Sequence, residues 1–95
     1  MARRRYLVAY DISDDRRLRA VHSCVKGFGY ALQYSVFICD LDKSELVRLK
    51  WGLGDLIAHA EDRVAIVDLG DAADVSRFDF LGVRPTLPSH GPTIL

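Results

Sequence analysis

Asp11 closes a short apolar run, Tyr6-Leu7-Val8-Ala9-Tyr10, and is followed by the polar cluster Ser13-Asp14-Asp15. A carboxylate at the carboxyl end of a strand, just before a turn into a helix, is where open sheets often carry functional side chains. One carboxylate is too few for an all-protein metal cage. Mg²⁺, however, keeps several waters and commonly binds through one or two carboxylates plus substrate phosphates. If a two-fold axis passes near this strand, two copies of Asp11 could share one ion, a centre suited to phosphodiester hydrolysis. The alternative is structural: the same side chain can order the turn by accepting backbone N–H bonds. Asp14 and Asp15 read as first-turn acids that complement a helix dipole.

Guanidinium groups flank Asp11 in sequence, with Arg3, Arg4 and Arg5 before the strand and Arg16, Arg17 and Arg19 after it. They suit phosphate contacts, against the alternative of a solvated basic face. Lys43, Arg48 and Lys50 read as surface charge. His22, His59 and His90 read as solvated or edge histidines, and no Ser-His-Asp or Cys-His arrangement competes. Cys24 and Cys39 form no C-x-x-C pair, so both are expected to be reduced and packed rather than bound to zinc or joined in a disulfide.

The elements that must position these groups follow from periodicity. The run ending at Asp11 is a buried strand. Beyond it Leu18, Val21, Val25 and Phe28 recur at helical spacing, with Arg16, Arg19, Ser23 and Lys26 on the opposite side, so helix one is amphipathic with a basic back. Gly27 and Gly29 are expected to supply the positive φ that ends it. Residues 31–41 are apolar, aromatic and β-branched, and read either as one long strand or as two joined at a kink. Asp42-Lys43-Ser44-Glu45 is a capping-box pattern ahead of Leu46, Leu49, Leu53, Leu56 and Ile57, which predicts helix two. Its Gly52 and Gly54 imply close packing or a weak, bent middle turn. Residues 63–69 form the next strand, and Phe78-Asp79-Phe80-Leu81 offers a last short one. Three prolines beyond Gly82 leave too little patterning for an element. Residues 1–82 are therefore expected to be one domain and 83–95 a flexible tail.

This order on one small sheet, with both helices amphipathic on a single face, predicts an α+β, ferredoxin-like βαββαβ sandwich. The other sheet face then lacks helix cover. Aromatic residues expected on it, Tyr6, Tyr10, Tyr34 and Phe37, call for a second copy or for bases.

At 95 residues, 49% of them apolar and 27% charged, the chain is an ordinary soluble composition for a single domain with a modest core. Thirteen basic and thirteen acidic residues cancel, yet the first fifty positions hold ten basic against six acidic. A basic face on a neutral protein is thus expected. Without a signal-peptide pattern or a membrane-length apolar run, the expectation is a cytoplasmic protein with no membrane partner.

Tyr6-Leu7-Val8-Ala9-Tyr10-Asp11-Ile12-Ser13-Asp14-Asp15, followed by Gln33-Tyr34-Ser35-Val36-Phe37, resembles CRISPR-associated protein two, the small partner of the spacer-acquisition integrase. The resemblance spans residues 4–70 in order and spacing. It implies a homodimer whose last strand, here 77–81, adds to the partner subunit's sheet. It further implies a metal, Mg²⁺ or alternatively Mn²⁺, between two copies of Asp11, and a nuclease activity on RNA or double-stranded DNA. Some members instead bridge a DNA duplex between integrase dimers. Tyr10, Ser35 and Phe37 match positions linked to the active cleft or dimer interface, and Arg16, Arg17 and Arg19 correspond to helix-one arginines whose register varies. This chain departs from the pattern at Ala31-Leu32, where many members carry an arginine. A rival of another class is a non-catalytic sheet-surface RNA-binding module with Tyr10, Tyr34 and Phe37 as the stacking platform.

Overall fold

The computed structural model describes residues 2–74 and 78–85. Its elements run β1 (Arg4–Asp11), α1 (Asp15–Lys26), β2 (Tyr30–Gln33), β3 (Val36–Leu41), α2 (Lys43–Leu56) and β4 (Arg63–Asp71). The sheet order is β2-β3-β1-β4 and every neighbouring pair is antiparallel. This is the expected βαββαβ sandwich. The run at 31–41 resolves into two strands, because the chain turns at Tyr34-Ser35.

Local chemistry sets the helix limits. Asp14 caps α1 by accepting from the Arg17 N–H at 3.0 Å. Asp42 and Glu45 exchange side-chain and backbone bonds of 2.8 and 2.9 Å in a full capping box at the start of α2. The glycines at the end of α1 act differently from expectation. Gly27 ends the helix at φ −73°, without a left-handed residue. Gly29 is required by close approach: a Cβ there would meet the Ile38 carbonyl and lie 2.6 Å from Cys39 Sγ. α2 runs unbroken through Gly52, where a Cβ would stand 3.2 Å from Cys24 Sγ on α1, so close helix packing explains that glycine. Positive φ falls instead at Gly70, 96°, beside the bulge where the β1–β4 register shifts.

Strand alternation divides the sheet into two faces. Tyr6, Val8 and Tyr10 of β1 and Phe37, Cys39 and Leu41 of β3 pack with Val21, Val25, Leu49 and Leu53 of the helices into the core. Tyr6, Tyr10 and Phe37 are therefore on the helix side, not on the uncovered face where the sequence reading put them. Alternation puts Tyr6, Val8 and Tyr10 on one face of β1, and large aromatics gain most from burial under the helices. The other face carries Arg5, Leu7, Ala9 and Asp11 from β1, Val36, Ile38 and Asp40 from β3, and Ala65 and Val67 from β4. Burial pushes the Cys39 thiol up to about 12, so it stays protonated; both cysteines are free.

Residues 78–81 form no strand in this single chain. The Phe78 ring stacks on Phe80 with centroids 5.8 Å apart, and Arg5 Cζ lies 5.7 Å from the Phe78 centroid. The expected short strand at 78–81 is thus absent: these residues make ring contacts and add no ladder to the four-stranded sheet. Arg77 and residues 86–95, most of the expected tail, lie outside the described residues.

Candidate metal and nucleic-acid site at the end of the first strand

Asp11 is the last residue of β1, on the face the helices do not cover, and its side chain is 76% exposed. Antiparallel pairing sets Arg63, the first residue of β4, directly across from it, and an Arg63 Nη donates to Asp11 Oδ2 at 3.3 Å. Both residues line an open cleft of about 700 Å³ that also takes in Ala9, His59 and Ala65. His59 is held there by a 2.8 Å contact from Nε2 to the Gly54 carbonyl at the end of α2.

Among the described residues no three His, Cys, Asp or Glu side chains converge as a metal cage. A lone exposed carboxylate fits only a hard cation that keeps most of its water. Asp11 fits that role: it is an exposed carboxylate engaged, among the described residues, by one loosely held guanidinium.

The loop after Asp11 is fixed by a residue that sequence reasoning missed. The fully buried carboxylate of Asp62 accepts from Arg17 Nε at 2.7 Å, Ala58 N at 2.8 Å, Ser13 N at 3.1 Å and Ser13 Oγ at 3.2 Å. It ties the β1–α1 loop to the α2–β4 loop on either side of Asp11. Arg17 also reaches Glu61 at 3.5 Å, so its guanidinium is committed within the protein. Arg16 and Arg19 are exposed on α1 and make no ion pair among the described residues. Hydrogen bonding from Arg17, reinforced by the Ala58 and Ser13 amides, holds the Asp62 carboxyl far below its ordinary 3.8 despite burial. A depressed carboxylate contributes stability that is present above its ordinary pKa and is lost as pH falls. Wild type should thus lose stability progressively below about pH 5. Asp62→Asn should be less stable at neutral pH and show a flatter acid limb, measured by urea unfolding at pH 7 and in the acid range. Identical acid limbs would contradict this.

Tyr10, Ser35 and Phe37 do come together at this end of the sheet. The Tyr10 N–H donates to the Ser35 carbonyl at 3.1 Å, and the Tyr10 and Phe37 rings stack at 6.3 Å. The Tyr10 hydroxyl donates to the Tyr34 carbonyl at 3.2 Å and lies 2.8 Å from His22 Nδ1. With one hydroxyl proton to give, Tyr10 accepts from an Nδ1–H of His22. His22 in turn stacks on Tyr34 at 5.2 Å. Burial raises the Tyr10 phenol's pKa, keeping it a neutral donor. The group is a support for the end of β1 and leaves Tyr34, 66% exposed, as its solvent-facing ring. A three-ring stacking platform is therefore not formed.

Residues 4–77 match the family described as CRISPR associated protein Cas2. The chain belongs to the Cas2 family. It is 43% identical over 88 residues to the CRISPR-associated endoribonuclease Cas2 of Geobacter sulfurreducens, which covers 93% of this chain and 84% of that relative. Its fold matches a hypothetical protein from Thermus thermophilus with a TM-score of 0.78 and 33% identity, covering 88% of this chain and 96% of the other. Streptococcus pyogenes Cas2 matches with a TM-score of 0.73 and 30% identity, covering 82% and 99%. Within this Cas2 fold, Arg63 and Asp62 needed the β1–β4 register to be found. In sequence Arg63 opens β4 and Asp62 stands just before it, more than fifty positions from Asp11, with nothing local to link them to it.

No helix among the described residues is long and apolar enough to cross a membrane.

Proposed function

We propose that the chain acts in the cytoplasm as a homodimeric subunit of CRISPR adaptation that hydrolyses phosphodiester bonds in a Mg²⁺-dependent reaction. Mn²⁺ would serve as a substitute ion. RNA is the favoured substrate class, in keeping with the endoribonuclease name of the Geobacter relative, and double-stranded DNA is the other. The observation that carries this reading is Asp11, an exposed carboxylate at the carboxyl end of β1 on the sheet face left free of helices.

Two Asp11 carboxylates, one from each copy, would hold the cation. When bound it polarises the phosphodiester and lowers the pKa of attacking water. Asp62, Ser13 and Arg17 keep the loop after Asp11 in place, and Tyr10, Ser35 and Phe37 fix the strand end from which it projects. Arg16 and Arg19, exposed on α1, supply phosphate contacts that do not depend on sequence. The same dimer holds nucleic acid beside the integrase subunit. Residues 1–82 form the working domain, and 83–95 serve as the segment that docks to that partner.

Metal removal tests the reading. Single-stranded RNA and duplex DNA incubated with the dimer should be cut with Mg²⁺ and remain intact with EDTA. Cleavage that persists in EDTA would overturn the metal role of Asp11.

A further inference from the structure

We infer that Arg63 is the exchangeable counter-ion of Asp11. It neutralises the carboxylate in the metal-free protein and passes to a substrate phosphate oxygen when a divalent cation takes its place. The inference rests on the reading of Asp11 as the metal ligand.

Three observations lead to it. First, Arg63 is the one described guanidinium within hydrogen-bond reach of Asp11, and the β1–β4 register holds the two residues face to face. Second, the contact is weak by construction. It is a single bond of 3.3 Å between side chains 85% and 76% exposed, so solvent screening leaves it readily exchanged. Third, the other arginines around β1 and the loop after it that reach carboxylates are already committed. Arg4 meets Asp68 through two bonds of 2.9 and 3.2 Å, Arg5 meets Asp40 at 2.7 and 2.8 Å, and Arg17 is locked to buried Asp62. Among the described residues Arg63 alone combines proximity to Asp11 with a bond it can give up.

The electrostatics explain why such a residue is useful. Two Asp11 carboxylates brought to one ion repel each other until the ion arrives. A guanidinium on each relieves that repulsion. Once the cation binds the carboxylates, Arg63 is left unpaired beside the cleft, and its planar donors match a phosphate's oxygens. Arg63 is then a substrate-binding residue in the loaded state and a competitor of the metal in the empty one.

These two roles predict effects of opposite sign. In the full-length dimer, Arg63→Ala should bind Mn²⁺, titrated without nucleic acid and followed by the electron paramagnetic resonance signal of free Mn²⁺, about two- to five-fold more tightly than wild type. The same variant should show a KM for single-stranded RNA raised on the order of tenfold in saturating Mg²⁺. Arg63→Lys, which keeps the charge, should return Mn²⁺ affinity to the wild-type value. A purely structural residue would not tighten metal binding when removed. Unchanged or weaker Mn²⁺ binding by Arg63→Ala, with Asp11→Asn losing it, would overturn the counter-ion role alone. Wild-type Mn²⁺ binding by Asp11→Asn would overturn the metal reading of Asp11 beneath it.

Discussion

Asp40→Ala should destabilise the protein by about 3–5 kcal/mol, the usual cost of leaving one member of a buried ion pair without its partner. Arg5 and Asp40 sit directly across from each other on β1 and β3, joined by two parallel bonds of 2.7 and 2.8 Å. Their side chains are only 1% and 3% exposed, and Phe78 lies over the guanidinium. Removing the carboxylate takes two charge-assisted bonds from a guanidinium that is only 1% exposed. The effect should not extend to replacing the pair as a whole. Arg5→Met with Asp40→Leu fills a similar volume with no buried charge and should recover most of the stability. Urea unfolding of wild type, the single variant and the double variant measures both. A single variant within about 1 kcal/mol of wild type would mean that the pair is open to solvent, the regime of surface salt bridges.

The contrast between the two ends of this sheet face bears on function. At one end Arg5 and Asp40 are locked and buried; at the other, Arg63 and Asp11 are loose and exposed. Between them lie Leu7, Ala9, Val36, Ala65 and Val67, a small apolar surface around the fully buried Ile38. On this face β1 thus carries a buried ion pair that holds the sheet together and an exposed one available for exchange.

The order of elements was legible in the sequence because each signal was local. The capping box at Asp42 and Glu45 and the spacing of Leu18, Val21 and Val25 depend on neighbours within a turn or two, and each is found in the structure. The faces of the strands were not legible. β1 offers Tyr6, Val8 and Tyr10 on one side and Leu7 and Ala9 on the other, so both sides are apolar and alternation alone does not say which is covered. Tyr6, Tyr10 and Phe37 were consequently assigned to the wrong side. Gly29 was misread for a related reason: its purpose is contact with β3, ten positions on, rather than a local backbone angle. For the site, Asp11 stood out through its position after a strand. Arg63, Asp62 and the His22–Tyr10 contact depend on packing between distant segments and have no local signature.

Asp11→Asn is the second large effect. The amide keeps the shape of the side chain but loses the negative charge and the anionic oxygens that a hard cation requires. Metal-dependent cleavage should fall on the order of 100-fold or more. Because Asp11 is exposed and its ion pair with Arg63 is solvent-screened, the fold and the dimer should persist, and binding of duplex nucleic acid should change little. That separation of cleavage from stability and binding distinguishes a metal ligand from a turn-forming aspartate, whose loss would disturb the loop and lower the melting temperature.

The most direct measurement compares wild type and Asp11→Asn, purified in parallel, for cleavage of single-stranded RNA and duplex DNA in Mg²⁺ and in EDTA. The account predicts cleavage by wild type in Mg²⁺ only, with Asp11→Asn inactive and its melting curve unchanged. Equal cleavage by the two proteins, or none by either, would contradict a catalytic metal held by Asp11.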